Sequence, residues 1–141
     1  DMNGIKRDVS WNNDYTSSQS IEMYVESSVR KHFDYPIKVK LRGKNLVIEA
    51  VGKDSITTNM IKTGMFISIY EVMKANKNPP VDFDFLISFP LIDKYGNSEL
   101  GIVMKVTYKS ESMAKINWKR FLHLDIEEAA DRYWEHPAFS K

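Results

Sequence analysis

Two alternating stretches joined by a polar turn set the strongest limit on how this chain folds. In VDFDFLISFPL every second residue is apolar: Val81, Phe83, Phe85, Ile87, Phe89 and Leu91. In LGIVMKVTY the same period returns as Leu100, Ile102, Met104, Val106 and Tyr108. Successive side chains of a strand point to opposite faces, so a period of two predicts two strands with these residues turned toward one core. The intervening DKYGNS offers Gly and Asn for a turn that needs positive φ. A β-hairpin is the element this pattern predicts.

The rest of the chain supplies partners for that hairpin. Residues 16–33 predict a helix, with Thr16 and Gln19 as a capping box and Ile21, Val25, Val29 and His32 on one stripe. PIKVKLRGKNLVIEAVG predicts a first hairpin: Ile37, Val39 and Leu41 alternate with Lys38, Lys40 and Arg42, Gly43 turns, and Leu46, Ile48 and Ala50 return. Residues 55–76, capped by Asp54 or Ser55, predict a second helix with Ile61, Met65, Ile69 and Val72 on its main face. Met60 and Ile67 lie off that stripe and suggest burial on a second side. NKNPP ends the helix. Ser110 or Ser112 opens a short helical turn, and Asp125 with Glu128 caps a last helix, IEEAADRYW, which His136-Pro137 stops.

The expected fold is therefore α+β, in the order α-β-β-α-β-β-α. It consists of a four-stranded antiparallel sheet made from two hairpins, with helices packed on one face. Residues 1–19, rich in Asn, Ser and Asp, read as a polar lead-in or a linker, and 20–141 as a single domain. At 141 residues, with three Trp, seven Tyr and seven Phe, the chain has enough apolar material to fold without staples.

The sheet's second face is then open. It would present Lys38, Lys40 and Arg42, with Lys105 on the far hairpin, among Val47, Glu49, Val51, Asp82, Asp84, Leu86, Ser88, Val103 and Thr107. An antiparallel sheet can leave one face in water, and a solvated face is its plainest reading. Its functional reading is a platform for a protein, a peptide or a cell-envelope component, with Lys38, Lys40, Arg42 and Lys105 as binding residues. A second candidate is an aromatic patch of Trp118, Phe121 and Trp134 near the C-terminal end, extended by Phe139. Its alternative is a plug at the base of the core.

Chemistry is harder to find. With no cysteine there is no disulfide, thiolate ligand or thiol nucleophile. A formal net charge of +1 creates no strong field for nucleic acid. A sheet that stacks RNA bases displays aromatics outward, whereas Phe83, Phe85, Phe89 and Tyr108 are expected inward, so no nucleic-acid partner is anticipated. His32, His123 and His136 match no metal-ligand spacing. Glu127, Glu128, Asp131 and Glu135 read as the solvated side of the last helix. GKDSITTNMIK lacks the spacing of a phosphate loop, and no GxSxG occurs. No catalytic residue, metal or cofactor is expected. A small enzyme would instead need two of His32, His123, Asp125 and Glu49 together in a cleft.

Together FPLIDKYGN…GIVMKVTY and INWKRF…AADRYWEHPAF resemble small surface-anchored or lipoprotein domains of unknown function from Gram-positive bacteria, over roughly residues 80–139. The resemblance implies an extracytoplasmic α+β module, membrane-associated only through a removed N-terminal anchor, although the chain lacks a lipobox cysteine. The function expected is a non-catalytic extracytoplasmic binding or accessory module. The alternative is an intracellular regulatory or assembly domain, acting as a homodimer through a sheet edge.

Overall fold

The computed structural model describes residues 18–53, 58–75 and 81–138. The capping box at Thr16 and the cap at Asp54 or Ser55 lie outside them, as do Phe139 and most of the polar lead-in. Helix α1 spans Ser18–Val29. Its Ile21, Val25 and Val29 recur every four residues and are buried. The chain turns through Phe33 into β1 (Asp34–Arg42), reverses at Gly43 with φ 62°, and returns as β2 (Asn45–Val51). Helix α2 (Thr58–Ala75) buries Ile61, Met65, Ile69 and Val72 as expected, with Phe66 and Met73 beside them. Met60 remains 55% exposed, so the second buried side anticipated for this helix does not include it.

Strand β3 (Asp82–Ile92) and strand β4 (Ser98–Tyr108) form the predicted hairpin. In its loop Gly96 has φ 85°, and Asp93 Oδ1 accepts from the backbone N–H groups of Tyr95 and Asn97. Among the described residues the α+β sheet holds five strands in the order β1-β2-β3-β4-β5, not four. Nor is it wholly antiparallel: β2 and β3 run parallel, with Asn45 opposite Asp82 and Val51 opposite Ser88. The reason lies in the connection. An eighteen-residue helix is about 27 Å long, enough to carry the chain back to the end where β2 began.

The fifth strand replaces a predicted helix. After a short α3 (Ser110–Met113) and a 3-10 stretch, Trp118–His123, kinked at Arg120, helix α4 runs only over Ile126–Ala129. Asp125 caps it, accepting from the N–H groups of Glu127 and Glu128. Ala130 then turns extended, Asp131 N–H donates to the Thr107 carbonyl, and β5 (Arg132–Glu135) pairs antiparallel with β4. The helix pattern of IEEAADRYW fails because Tyr and Trp suit a pleated edge and β4 offers one.

Both long helices lie on one face of the sheet. Their apolar stripes meet Val39, Leu46, Ile48, Phe83, Phe85, Ile87, Met104 and Val106 in one core. Tyr108 closes its far end, packed on Phe66 at 5.4 Å between ring centroids, and its hydroxyl donates to the Ile126 carbonyl at 2.8 Å.

A register shift changes which way the upper half of β4 faces. Ile87 lies opposite Met104, yet the next residue, Ser88, lies opposite Ile102, so Val103 is an extra residue in β4. Val103 and Met104 are both buried. Beyond this bulge the parity of β4 reverses. Leu100 and Ile102, expected in the core, stand on the other face, 51% and 41% exposed.

Candidate functional site

The open face of the sheet is built in rows set by strand register. One row reads Lys40, Val47, Asp84, Thr107 and Arg132; the next reads Lys38, Glu49, Leu86, Lys105 and Trp134. Much of its acidity is answered internally. Thr107 Oγ1 donates to Asp84 at 2.6 Å, Glu49 sits opposite Lys38, and Asp82 accepts from the Ser110 N–H at 2.8 Å. Cations dominate the remainder. Lys38, Lys40 and Arg42 are exposed along β1, and Lys105 stands with its Nζ 5.4 Å from the Trp134 ring centroid. Val51 and Val103, expected on this face, are buried.

The bulge adds an apolar extension. After it, the outward positions of the hairpin are Pro90 and Leu100, Ile92 and Ser98, with Ile102 next to Ser88. Ile92 is 73% exposed and Tyr95, in the loop, 77%. Trp134, 41% exposed, lies on the same face and packs edge-on to His136. The face thus grades from a cationic β1 to an apolar end around Ile92, Leu100, Ile102 and Trp134. Gly101, on the opposite side of β4, gives room for Leu91: a Cβ there would lie 2.8 Å from Leu91 Cδ1.

The predicted aromatic patch does not assemble as expected. Trp118 belongs to the helix side: its Nε1–H donates to the Met113 carbonyl at 3.2 Å, and its ring meets Phe66 edge-on at 5.8 Å and Tyr70 at 6.3 Å. Trp134 is carried by β5 to the opposite face, where it joins Lys105. The side chain of Phe121 lies outside the described residues. Among the described residues, the basic sheet face and the aromatic patch therefore meet at the pair Lys105–Trp134. The apolar residues Ile92, Leu100 and Ile102 were missed as site residues because the bulge is not written in the alternation. Gly101 was the available cue, since a glycine within a strand often marks a bulge.

The acidic run of the last predicted helix is also redistributed. Asp131 accepts from the Lys109 N–H and from Ser112 Oγ, both at 2.7 Å, and so anchors α3. Glu135 is not solvated: its side chain is 13% exposed, it accepts from the Tyr133 hydroxyl, and Lys62 Nζ of α2 lies 3.6 Å away. The same ammonium is 2.6 Å from Glu127. Burial alone would lower the Lys62 pKa, but Glu127 and Glu135 outweigh it and hold it above the ordinary lysine value. Tyr133 is raised, first by burial and then by Glu135.

Of the residues that a catalytic cleft would need, His32 lines one. A cleft of about 380 Å³ between α2 and the turn that follows α1 is bordered by Lys31, His32, Lys53, Met60, Thr63, Gly64 and Ile67. His32 Nε2 is buried without a hydrogen-bond partner, 4.0 Å from Glu71 Oε1, while Ser28 Oγ donates to that carboxylate oxygen. Burial lowers the His32 pKa; Glu71 opposes this, and Lys31 and Lys53 add to it. His123 and Asp125 are exposed elsewhere, and Glu49 lies on the sheet. Among the described residues no group of three or more His, Asp or Glu side chains is placed to hold a metal ion, and no helix is long and apolar enough to cross a membrane. Compared with family models, curated proteins and solved structures, the chain matches none.

Proposed function

We propose that this chain is a binding module that takes a protein or peptide partner on the open face of its sheet. The observation that carries the reading is the exposed apolar group Ile92, Leu100, Ile102 and Trp134, on a face that neither long helix covers. Exposed apolar side chains scattered singly need no explanation, but a group gathered on one face is an interaction signal. Aromatic and aliphatic anchors flanked by cations favour a partner that brings apolar side chains and carboxylates together. Lys105 and Trp134 form the junction between the two zones, with Lys38, Lys40 and Arg42 steering acidic groups from the β1 side. The reading assigns no chemistry to the chain. An extracytoplasmic site of action is proposed from the family resemblance alone, and protease accessibility on intact cells of the source organism tests it.

The partner reading is tested by photo-crosslinking in the same cells. A photoreactive residue replaces Ile102 or Trp134 in one pair of variants, and Lys115 or Met23 in a control pair. Adducts confined to the first pair, and reduced by charge reversal at Lys105, support the reading. Equal adducts from all four positions, or none from Ile102 and Trp134, sink it.

A further inference from the structure

We propose that two copies of the chain pair through the free edge of β4, residues 98–102, joining their sheets across a two-fold axis. The β3–β4 hairpin is longer than its neighbours. On one side β2 ends at Val51, opposite Ser88, and Gly52 N–H donates to the Ser88 carbonyl. On the other, β5 pairs only with 104–107, and the last bond is His136 N–H to the Val103 carbonyl at 2.8 Å. Beyond these points the hairpin is a two-stranded ribbon, with no further strand beside it among the described residues. Such ribbons are marginal in water when nothing extends them.

The ladder shows which backbone groups face outward. Asp93 N–H donates to the Asn97 carbonyl and Gly96 N–H to the Asp93 carbonyl. Antiparallel pairs alternate between bonded and non-bonded, so the pairs Leu91–Glu99 and Phe89–Gly101 bond inward. The N–H and C=O groups of Ser98, Leu100 and Ile102 then point away from β3, toward the free edge. On the β3 side the corresponding positions are Ser88, Pro90 and Ile92, and the Ser88 carbonyl does reach outward to Gly52.

The sheet's edges are not equally protected. The β3 edge of the ribbon carries Pro90, which has no N–H to offer. The β1 edge carries Pro36 and the exposed Lys38, Lys40 and Arg42. Strand β5 is only four residues long and ends in charge. Short length, proline and lysine are the usual defences of an edge. The segment Ser98-Glu99-Leu100-Gly101-Ile102 has neither proline nor lysine.

That segment is also complementary to itself. In a register centred on Leu100, Ser98 faces Ile102 of the second copy, Glu99 faces Gly101, and Leu100 faces its own counterpart. No like charges meet. A register centred on Glu99 sets two carboxylates directly opposite, which is unfavourable. The favoured axis is perpendicular to the sheet, so both copies keep their helices on the same side. Their Leu100 and Ile102 side chains merge into one apolar strip on the open face. A pairing of this kind is isologous and closes as a dimer. It does not depend on which partner the open face takes.

The absence of cysteine in the chain makes the test direct. Sedimentation across a concentration series is expected to show a species of twice the 16.4 kDa chain. Leu100→Pro removes an outward N–H from an exposed position, and Leu100→Lys sets two ammonium groups opposite each other. Both are expected to weaken the dimer at least tenfold without changing the monomer's circular dichroism, while Trp134→Ala leaves the dimer unchanged. Leu100→Cys is expected to form a disulfide with its own copy, since directly paired Cα atoms lie about 5.5 Å apart, within disulfide reach. A mixture of Ser98→Cys and Ile102→Cys is expected to cross-link more than either alone. A wild-type chain that stays monomeric to about 0.5 mM, well above ordinary micromolar affinities, overturns the proposal. So does a dimer that Leu100→Lys leaves intact, or one that Leu100→Cys does not trap. Should Leu100→Pro unfold, the cysteine cross-links decide alone.

Discussion

Removing the Lys62 ammonium should loosen the last strand before any other part of the sheet. Lys62 is 14% exposed along its side chain and stands between Glu127, at 2.6 Å and half-exposed, and Glu135, at 3.6 Å and 13% exposed. Unit charges 3.6 Å apart attract by about 4–5 kcal/mol at an effective dielectric of about 20. Part of that gross attraction offsets the desolvation of both groups. The Glu127 pair, screened by water, contributes only about 0–1 kcal/mol. In Lys62→Met the aliphatic stem is kept, so packing changes little and the loss reads the charge. Glu135 keeps the Tyr133 hydroxyl as a donor but loses this cation, and removing the cation from beside a buried carboxylate is costly. We expect a loss of about 2–4 kcal/mol in urea unfolding, and faster hydrogen exchange at residues 132–135 than in β3. The raised Lys62 pKa fixes the pH window. Its contribution is fully present below the unfolded lysine value of about 10.4 and disappears only as pH rises through the higher folded value. A loss below about 0.5 kcal/mol, or full additivity with Glu135→Gln, would show that β5 is not held by this contact.

Three further outcomes are expected. Tyr108→Phe removes the donor to the Ile126 carbonyl and should cost about 1–2 kcal/mol in denaturant unfolding, with no change in dimer mass. Gly52→Ala would place a Cβ 2.7 Å from Ile61 Cδ1 and 3.0 Å from Phe89 Cδ1, and should cost about 1–3 kcal/mol, partly recovered by Ile61→Val. His32, whose pKa burial lowers, takes up its proton later in the folded chain than in the unfolded one, so its contribution is present above about pH 6.5 and is lost as pH falls below it. Unfolding at about pH 7.5 and about pH 5 should therefore show a larger acid loss in the wild type than in His32→Gln, and equal losses would refute the assignment.

The main elements were legible because their periods are long and clean. Ile21, Val25 and Val29 marked one helix, Ile61, Met65, Ile69 and Val72 the other, and all are buried. Phe83, Phe85, Ile87, Met104, Val106 and Tyr108 reached the core as their alternation required. What sequence could not supply were pairings between distant segments. Whether β3 joins β2 in parallel depends on where α2 returns the chain, not on any residue of either strand. Arg132 to Glu135 alternate like a strand and also continue a helical spacing; only the free side of β4 decides between them. The site was half-legible for the same reason. Lys105 was placed correctly on the open face, but its partnership with Trp134 required the fifth strand.

The bulge at Val103 separates two duties that regular alternation would have forced into conflict. Upstream of it, the outward residues Leu100 and Ile102 are apolar; downstream, the inward residues Met104, Val106 and Tyr108 are apolar. An uninterrupted strand has one parity and would turn both sets to the same face. One residue added between them splits the sets. Val103 is that residue, since Ile87–Met104 and Ser88–Ile102 are already consecutive pairs without it. Deleting Val103 should therefore leave both pairings intact, with Leu100 and Ile102 still outward. The expected cost is the burial of one valine, about 1.5–3 kcal/mol, and the bond from His136 N–H. The labelling rate of Leu100→Cys by a soluble thiol reagent, compared with and without the deletion at a concentration where the chain is monomeric, reads the outcome. A rate within about twofold, a difference of about 0.4 kcal/mol, fits an inserted residue that sets parity. Strong protection of Cys-substituted position 100 would mean that the upper strand follows its own hydrophobicity into the core, and that the open face is apolar only because the bulge compels it.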